Sequence, residues 1–268
     1  MGRVVVVTSG KGGVGKTTVA ANMAIMIAAS GKSVCVVDAD IGLNNLDVVL
    51  GVENRIVYDL VDCMEGHCRV FQAILKDDHL PGLNVLPCCK IYDAKNVGMG
   101  KFASVIDVLK NSFDFIIIDC PAGIGEGFLT ATLPAEEAIV VLNPQISSIR
   151  DAYKVIGILD GQQKSNVSVV VNRLNPQLVK KKKMLSVEEI EMLIGKKIVG
   201  TIPESAELGF FNSFLTKIGP FEDLRVQYAF AGLCKNIIHN KDDKYELRGG
   251  GKLYKIIGGN RFFKKRFR

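Results

Sequence analysis

The chain has 268 residues, of which 48% are hydrophobic and 7% aromatic, and it has no tryptophan. This apolar content is enough for a sizeable core and excludes a disordered chain. The longest uncharged apolar stretches, such as residues 19–30, are shorter than the roughly 18–20 residues of a membrane-spanning helix, so no membrane span is expected.

The formal net charge is +6, but it is unevenly distributed. Residues 248–268 contain eight Lys and Arg residues and no acidic residue, which leaves residues 1–247 with a net charge of −2. A basic end on a nearly neutral chain indicates an anionic partner for that end. The seven cysteines include no Cys-x-x-Cys pair, which predicts reduced thiols in a cytosol-like compartment and no metal cluster.

Apolar runs alternate with helical patterns along most of the chain. Strands are predicted at residues 3–8, 33–38, 83–87, 113–119, 138–143, 168–172 and 198–202. Most are continuous Val/Ile runs, which are typical of strands buried on both faces of a parallel sheet. Helices are predicted at residues 16–30, 57–62, 70–75, 101–111, 127–133, 147–161, 186–194 and 223–238.

This alternation of strands and helices predicts an α/β fold with a doubly wound, mostly parallel sheet. We expect one domain over residues 1–247, followed by a basic tail over residues 248–268. The glycines at positions 249–251 are the flexible hinge between them. The first predicted strand starts at once, so no cleaved N-terminal address is expected.

A glycine-rich loop follows the first predicted strand. Residues 10–17 read Gly-Lys-Gly-Gly-Val-Gly-Lys-Thr and satisfy the P-loop pattern G-x-x-x-x-G-K-[ST] between a strand and a helix. The glycines let backbone N–H groups surround phosphates, Lys16 would neutralise β/γ-phosphate charge, and the Thr17 hydroxyl would bind Mg²⁺. ATP and Mg²⁺ are therefore the expected cofactors, and the predicted binding residues are Gly10, Lys11, Gly12, Gly13, Val14, Gly15, Lys16, Thr17 and Thr18.

Acidic residues end two of the predicted strands. Asp38 and Asp40 follow one Val run, and Asp119 closes a Phe/Ile run in the manner of a Walker B aspartate. Binding sites in open parallel sheets gather at such strand ends. We therefore expect these carboxylates beside the P-loop, where metal and attacking water must be held.

The second lysine of the loop gives a specific resemblance. Residues 10–18, with Lys11 as well as Lys16, resemble the deviant Walker A motif of the MinD/ParA family of dimerising ATPases. The resemblance implies a P-loop NTPase that hydrolyses ATP as a homodimer, with Lys11 reaching the partner's nucleotide. It further implies that Lys11, Lys16 and Asp40 are catalytic, Asp40 acting on the water, while Asp38 and Asp119 support the metal bound by Thr17.

Within that family, three further segments resemble the MinD members: residues 38–47, 119–124 and 143–152. Asn44 departs from the pattern, because those members usually carry arginine there. The resemblance covers about residues 2–240 and implies that Asn172 and Pro203 contact adenine. It also implies septum placement, recruitment of MinC or an organellar replacement, and stimulation by MinE. The implied location is the cytoplasmic face of the cell membrane or, alternatively, the plastid stroma and inner envelope.

The basic tail also resembles the end of MinD members, which becomes an amphipathic helix on membranes. At 100° per residue, four of its apolar side chains fall within an arc of about 80°, although Phe262 points away and the glycines at 258–259 interrupt the pattern. These side chains are Leu253, Ile256, Phe263 and Phe267. With its basic residues, the tail is predicted to bind an anionic membrane surface.

Two other functions are compatible with parts of the sequence. A tail of charge +8 would also bind nucleic acid, as in a ParA-like segregation ATPase, but the four apolar side chains have no role on a phosphodiester chain. An iron–sulfur carrier of the Mrp type needs a paired-cysteine metal site, which the sequence lacks. The membrane-associating ATPase is therefore favoured, and a nucleic-acid partner is not expected.

Overall fold

The computed structural model describes residues 1–41, 45–88, 98–164, 166–210 and 223–239. Asn44 and the predicted tail therefore lie outside the described residues. The strands are β1 Arg3–Thr8, β2 Val34–Asp38, β3 Leu75–Lys76, β4 Leu83–Leu86, β5 Phe115–Asp119, β6 Glu137–Leu142, β7 Asn166–Leu174 and β8 Ile198–Pro203.

Helices connect these strands. They are α1 Lys16–Ala29, α2 Leu46–Leu50, α3 Leu60–Glu65, α4 Val70–Ala73, α5 Met99–Lys110, α6 Glu126–Thr132, α7 Ile146–Gly161, α8 Pro176–Lys180, α9 Val187–Ile194, α10 Ala206–Phe210 and α11 Leu224–His239. A 3₁₀ turn at Glu53–Arg55 precedes α3. None of the described helices combines the length and the hydropathy that a membrane span requires.

Within the described residues, the strands form one eight-stranded sheet in the order β3-β4-β2-β5-β1-β6-β7-β8. Every neighbouring pair is parallel except β3 and β4, which are antiparallel. This confirms the predicted doubly wound, mostly parallel α/β fold. The parallel strands end at one edge of the sheet, the carboxyl edge, and begin at the opposite one, the amino edge.

The continuous Val/Ile runs are explained by two cores, one on each face of the sheet. In β1, Val5 and Val7 pack with α1 and α11, while Val4 and Val6 pack with α5, α6 and α7. Successive strand residues point to opposite faces, so a strand covered on both sides is apolar throughout. Cys35 of β2 and Cys120 after β5 are buried among these residues as small apolar side chains.

The predicted elements differ from the structure mainly at short segments. All seven predicted strands are present, but the two-residue edge strand β3 was not predicted, nor were the five-residue helices α2, α8 and α10. The helix predicted from residue 57 begins at Leu60, because the Asp59 side chain accepts a hydrogen bond from the Asp62 N–H and caps it. Such local hydrogen bonds outweigh periodicity in short helices.

Helix α1 positions the first turn that carries Lys16 and Thr17. Twelve of its 14 residues are buried, because it packs against the sheet, α2 and α11. A helix that is apolar around most of its surface belongs in the interior of a layered fold. The start of α1 is therefore held firmly at the carboxyl edge, directly after the glycine-rich loop.

Candidate nucleotide-binding site

Three strand ends meet at the carboxyl edge beside the glycine-rich loop. Strand β5 lies between β1 and β2, and Asp119 is level with both Val7 and Asp38. The Ala39 N–H donates to the Asp119 carbonyl (2.9 Å), and the Gly123 N–H donates to the Ser9 carbonyl (3.1 Å). The sheet register therefore brings together the loop and both acidic segments, which are about 80 residues apart in sequence.

The conformation of the loop requires glycine at two positions. Gly13 and Gly15 have φ values of 77° and 94°, in the left-handed region that other residues avoid. At Gly15 a Cβ atom would also lie 2.3 Å from the Asn172 amide nitrogen. By contrast, a Cβ at Gly12 would meet nothing within 4 Å, so this part of the loop faces open space.

Lys16 lies between two of the predicted carboxylates. Its Nζ atom is 3.5 Å from Asp119 Oδ1 and 3.9 Å from Asp40 Oδ2. The Lys16 side chain is only 8% exposed, whereas that of Asp40 is 18% exposed. The amino group is thus held at the base of the loop, and Asp40 is the carboxylate of this pair that water reaches more easily.

Asp38 and Asp119 are both buried at adjacent strand ends. Burial raises the pKa of Asp38 well above its ordinary value, and the neighbouring Asp119 charge raises it further. Burial also raises the pKa of Asp119, although the Lys16 charge and a hydrogen bond from Thr17 oppose this. Two buried carboxylates are stabilised by nearby cations, and the described residues supply Lys16 as such a cation.

Asp38 also fixes the backbone that carries Asp40. Its Oδ1 atom accepts the Asp40 N–H (2.9 Å), and its Oδ2 atom accepts the Leu46 N–H (3.4 Å). Both carboxylate oxygens are therefore engaged on the segment after β2. Asp38 determines where Asp40 projects, in addition to the metal-supporting role that the sequence predicts for it.

The oxygen groups near Lys16 fit a magnesium ion bound together with a nucleotide. The Thr17 hydroxyl is hydrogen-bonded to Asp119, so a hydroxyl oxygen and a carboxylate lie side by side. Among the described residues, no three His, Cys, Asp or Glu side chains form a ready-made metal cage. Mg²⁺ takes few protein ligands and completes its shell with phosphates and water.

Two asparagines hold the P-loop from behind. The Asn172 Nδ2 atom donates to the Val14 carbonyl (2.8 Å), and Asn143, with its amide nitrogen turned to the loop, donates to the same oxygen (3.2 Å). The Val14–Gly15 peptide is trans, so the Gly15 N–H points away from the asparagines. Holding the carbonyl thus aims this N–H toward the open side of the loop, where a phosphate is expected.

The remaining predicted residues lie around this centre. Lys11 is on the exposed outer part of the loop, and its carbonyl accepts a hydrogen bond from Ser9 (3.0 Å). Thr18 is half-buried in the first turn of α1. Asn172 and Pro203 lie on the adjacent strands β7 and β8 near the carboxyl edge, so one base could contact both. Their roles toward adenine and toward a partner subunit stay predictions.

Sequence reasoning did not include Asn143 among the binding residues. It follows β6 directly, so the strand-end rule that selected Asp38 and Asp119 would have selected it too. No sequence signal shows that Gly10 packs on α7, where a Cβ would lie 2.4 Å from the Asp151 carbonyl oxygen. Both contacts depend on how β6 and α7 pack beside the loop.

Comparisons with known proteins agree with this geometry. The family model described as the CobQ/CobB/MinD/ParA nucleotide binding domain matches residues 5–213. The septum site-determining protein MinD of Synechocystis sp. is 45% identical over 208 residues, which is 78% of this chain and 78% of that protein.

Two solved structures are also similar. The MinC:MinD cell division protein complex of Aquifex aeolicus has a chain that is 40% identical with a TM-score of 0.83, and the match covers 93% of this chain and 100% of that one. MinD of Pyrococcus horikoshii OT3 complexed with Mg-ADP is 30% identical with a TM-score of 0.77, covering 91% and 100%. Since the motifs, the sheet and the relatives agree, this chain belongs to the MinD family within the CobQ/CobB/MinD/ParA nucleotide-binding domains.

Proposed function

We propose that this protein is an ATPase of the MinD type, which dimerises with ATP, attaches to an anionic membrane and so positions the site of cell division. The observation that carries the proposal is the convergence of Lys16, Asp40 and Asp119 beside a P-loop with an exposed second lysine, Lys11. Residues 1–247 form the ATPase domain of this proposal, and residues 248–268 form its membrane-targeting tail.

The P-loop binds the triphosphate through its backbone N–H groups and the start of α1. Lys16 moves from its carboxylate partners to the β/γ-phosphates, whose negative charge exceeds that of one carboxylate. Mg²⁺, when bound at the Thr17 hydroxyl, supplies further neutralisation of the phosphate charge. Asn172 and Asn143 keep the Gly15 N–H directed at the phosphates throughout, which costs no reorganisation during the reaction.

Asp40 orients the attacking water and accepts a hydrogen bond from it. The carboxylate is 18% exposed, and Asp38 holds its backbone in place. The water oxygen forms a bond to the γ-phosphorus while the bond to the β-γ bridging oxygen breaks, which gives ADP and phosphate. In this proposal Lys11 of the partner subunit contacts the γ-phosphate, so hydrolysis removes the link between the subunits.

Membrane attachment follows from doubling the tail. One tail contributes a few apolar side chains and several basic residues, and each basic residue adds about 1 kcal/mol of binding free energy at an anionic leaflet. The conformational entropy lost when the tail becomes ordered opposes this binding. Two tails on one ATP-bound dimer bind as a unit, because the second contact is intramolecular. His239, the last described residue, lies at the amino edge beside Arg3. In this proposal the nucleotide acts on the tail through dimerisation.

The partners and location in this proposal follow the relatives. A solved MinD of Aquifex aeolicus is in complex with MinC, which supports MinC or an organellar equivalent as the recruited partner. MinE is proposed as the stimulating partner. The location proposed is the inner face of a bacterial cell membrane, with the plastid inner envelope as the alternative.

Liposome co-sedimentation tests the proposal. Full-length protein and a variant truncated after Leu247 are mixed with anionic vesicles and either ATP or ADP, with and without duplex DNA. Full-length protein should pellet with ATP, stay soluble with ADP and be unaffected by DNA, and the truncated variant should stay soluble while binding ATP normally. Equal pelleting of the truncated variant would refute the anchor, and ATP-dependent DNA retention without lipid would favour the ParA-like function.

Two substitutions test the chemistry, one by vesicle binding and one by size exclusion. Asp40→Ala should keep the ATP dimer on vesicles, because hydrolysis no longer releases it. Lys11→Ala should abolish ATP-dependent dimers on size exclusion. Release of Asp40→Ala at the normal rate would contradict the role of this carboxylate, and persistent dimers of Lys11→Ala would contradict the proposed link between subunits.

A further inference from the structure

The turn after α3 brings two cysteine thiols together. Helix α3 ends at Glu65, and the next residue, Gly66, adopts a left-handed φ of 80°. The His67 N–H donates to the Asp62 carbonyl (2.9 Å). This reversal carries Cys68 back over the last turn of the helix. As a result, the Sγ atoms of Cys63 and Cys68 are 3.6 Å apart and share one S–H hydrogen bond.

This pair differs from the other described cysteines in its exposure. Cys63 and Cys68 are both half-buried, whereas Cys35, Cys88, Cys120 and Cys234 are fully buried. Burial raises the pKa of Cys120 to about 12 and raises the pKa of Cys35 and of Cys234 even further. A thiol without solvent contact and without access to its thiolate is inert toward small oxidants.

We propose that Cys63 and Cys68 form a dithiol site that reacts with hydroperoxides and closes to a reversible disulfide. In the first step one thiolate sulfur attacks the peroxide oxygen, which gives a sulfenic acid and releases water or an alcohol. In the second step the other thiol attacks that sulfenic sulfur, an S–S bond forms and a second water leaves. The protein loses two hydrogens and two electrons, and the peroxide takes them up.

The surroundings assign an order to the two sulfurs. Burial raises the pKa of Cys63, and the adjacent Cys68 thiol and the carboxylates of Asp59 and Asp62 raise it further. Cys63 is therefore assigned as the resolving thiol, which keeps its proton while Cys68 is reduced and gives it up as it attacks the sulfenic sulfur of Cys68. Cys68 lies outside the helix, on the turn toward α4, and the proposal assigns the first step to it.

Closing the bond needs little movement. A disulfide has an S–S distance of about 2.05 Å, so the two sulfurs must approach by roughly 1.5 Å. Cys68 lies in a turn between α3 and α4, where rotation of its side chain supplies that approach. Leu60, Val61 and Met64 keep α3 anchored in the core, so the helix need not move.

The sequence offers a direct readout of this bond. Trypsin should release both thiols in one peptide, residues 56–69, which contains no other cysteine, and Glu65 is a cleavage site between them. After treatment of full-length protein with a slight excess of hydrogen peroxide, peptide 56–69 should be lighter by about 2 Da. Further cleavage of this peptide after Glu65 should give two fragments that stay joined by the Cys63–Cys68 disulfide until dithiothreitol reduces it.

Matched variants assign the sulfurs. Cys63→Ser and Cys68→Ser should each abolish the joined fragments, while Cys120→Ser should leave them unchanged, and Cys68→Ala repeats the test with a second side chain. Dimedone should label Cys68 in Cys63→Ser at least about 10-fold faster than Cys63 in Cys68→Ser. Halves that separate without reductant, or a peptide heavier by two oxygens in the parent protein, would overturn the proposal. The proposal would also be overturned if peptide 56–69 kept its mass under conditions in which the peroxide oxidises free glutathione in the same solution.

Discussion

Charged side chains are paired differently at the two edges of the sheet. At the carboxyl edge, Lys16 and Asp119 are buried and lie 3.5 Å apart without the short contacts of a closed ion pair. At the amino edge, Arg3 donates to both Glu137 oxygens (2.7 and 2.8 Å) and to the Ile237 carbonyl (2.7 Å). One edge therefore keeps charges loosely paired and available, and the other uses them to fasten elements together.

The difference follows from the direction of the strands. At the carboxyl edge the chain leaves buried strands into loops whose polar groups face a common space, and the P-loop glycines adopt left-handed φ values there. At the amino edge the Arg3 side chain caps the end of α11 and stacks over the Phe115 ring at 5.2 Å. Charged groups that change partner during a reaction are suited to the carboxyl edge. Charged groups that keep the same partner are suited to the amino edge.

The largest expected effect is at the centre of the carboxyl edge. Lys16→Ala removes the cation that is proposed to bind the phosphates, so ATP affinity should fall by at least about 100-fold and ATP-dependent dimers should disappear. Fluorescent-nucleotide titration and size exclusion measure this. Lys32→Ala, an exposed lysine at the amino edge, is the control and should bind normally. If Lys16→Ala formed ATP-dependent dimers in normal amount, the proposed difference in function between the carboxyl edge and the amino edge would be wrong.

The asparagine clamp gives the next largest effect. Asn172→Ala removes a buried hydrogen bond to the Val14 carbonyl, which should lower nucleotide affinity about 10-fold. Calorimetric titration with ATP and with pyrophosphate, which has no base, distinguishes two roles of Asn172, positioning of the P-loop and contact with adenine. Weaker binding of both ligands indicates positioning, and unchanged pyrophosphate affinity would show that Asn172 serves the base alone. Asn175→Ala, whose amide bonds Glu204 near the same edge, should leave pyrophosphate binding unchanged.

The fastening at the amino edge should affect stability and not binding. Arg3→Met leaves the Glu137 carboxylate and the Ile237 carbonyl without this donor, so the free energy of unfolding should fall by about 1–3 kcal/mol with ATP affinity unchanged. Urea denaturation and nucleotide titration measure the two effects. Lys110→Met breaks a more exposed pair with Glu136 and should cost less than about 1 kcal/mol. A loss of ATP affinity in Arg3→Met would show that the edges are coupled.

The smallest effect is a pH dependence at Asp114, also at the amino edge. Hydrogen bonds from the Ser33 N–H and hydroxyl lower the pKa of Asp114, so its ionised form stabilises the fold. A carboxyl group whose pKa is lowered by folding stabilises the fold at pH values above its unfolded pKa, which is near 4. This stabilisation is lost as the pH falls through the lower pKa of the folded state. Asp114→Asn should be less stable by a few tenths of a kcal/mol at pH 7, because the group is exposed.

Urea midpoints at pH 7 and pH 3 check this sign. The gap between the parent protein and Asp114→Asn should narrow at the lower pH, where the parent carboxylate becomes protonated. A gap that widens toward low pH would reverse the linkage assigned to Asp114.

The sequence alone determined the P-loop, the α/β class and the strand-end acids, because each depends on local order. Four valines in β1 require burial on both faces, and the Gly-Lys-Thr step after a strand makes sense only as a phosphate loop. Short elements such as β3 and α2 were beyond such reasoning, since a few residues carry no period.

Only the tertiary structure decided contacts between residues distant in sequence. The Asn172 bond to Val14 and the Arg3 bond to α11 span 158 and 234 residues, and both depend on which strands lie side by side. The Cys63–Cys68 pair spans five residues but depends on a left-handed Gly66, which the spacing of the cysteines does not reveal. Local propensity specifies what an element is, and packing specifies what it touches, because contact free energies depend on three-dimensional neighbours.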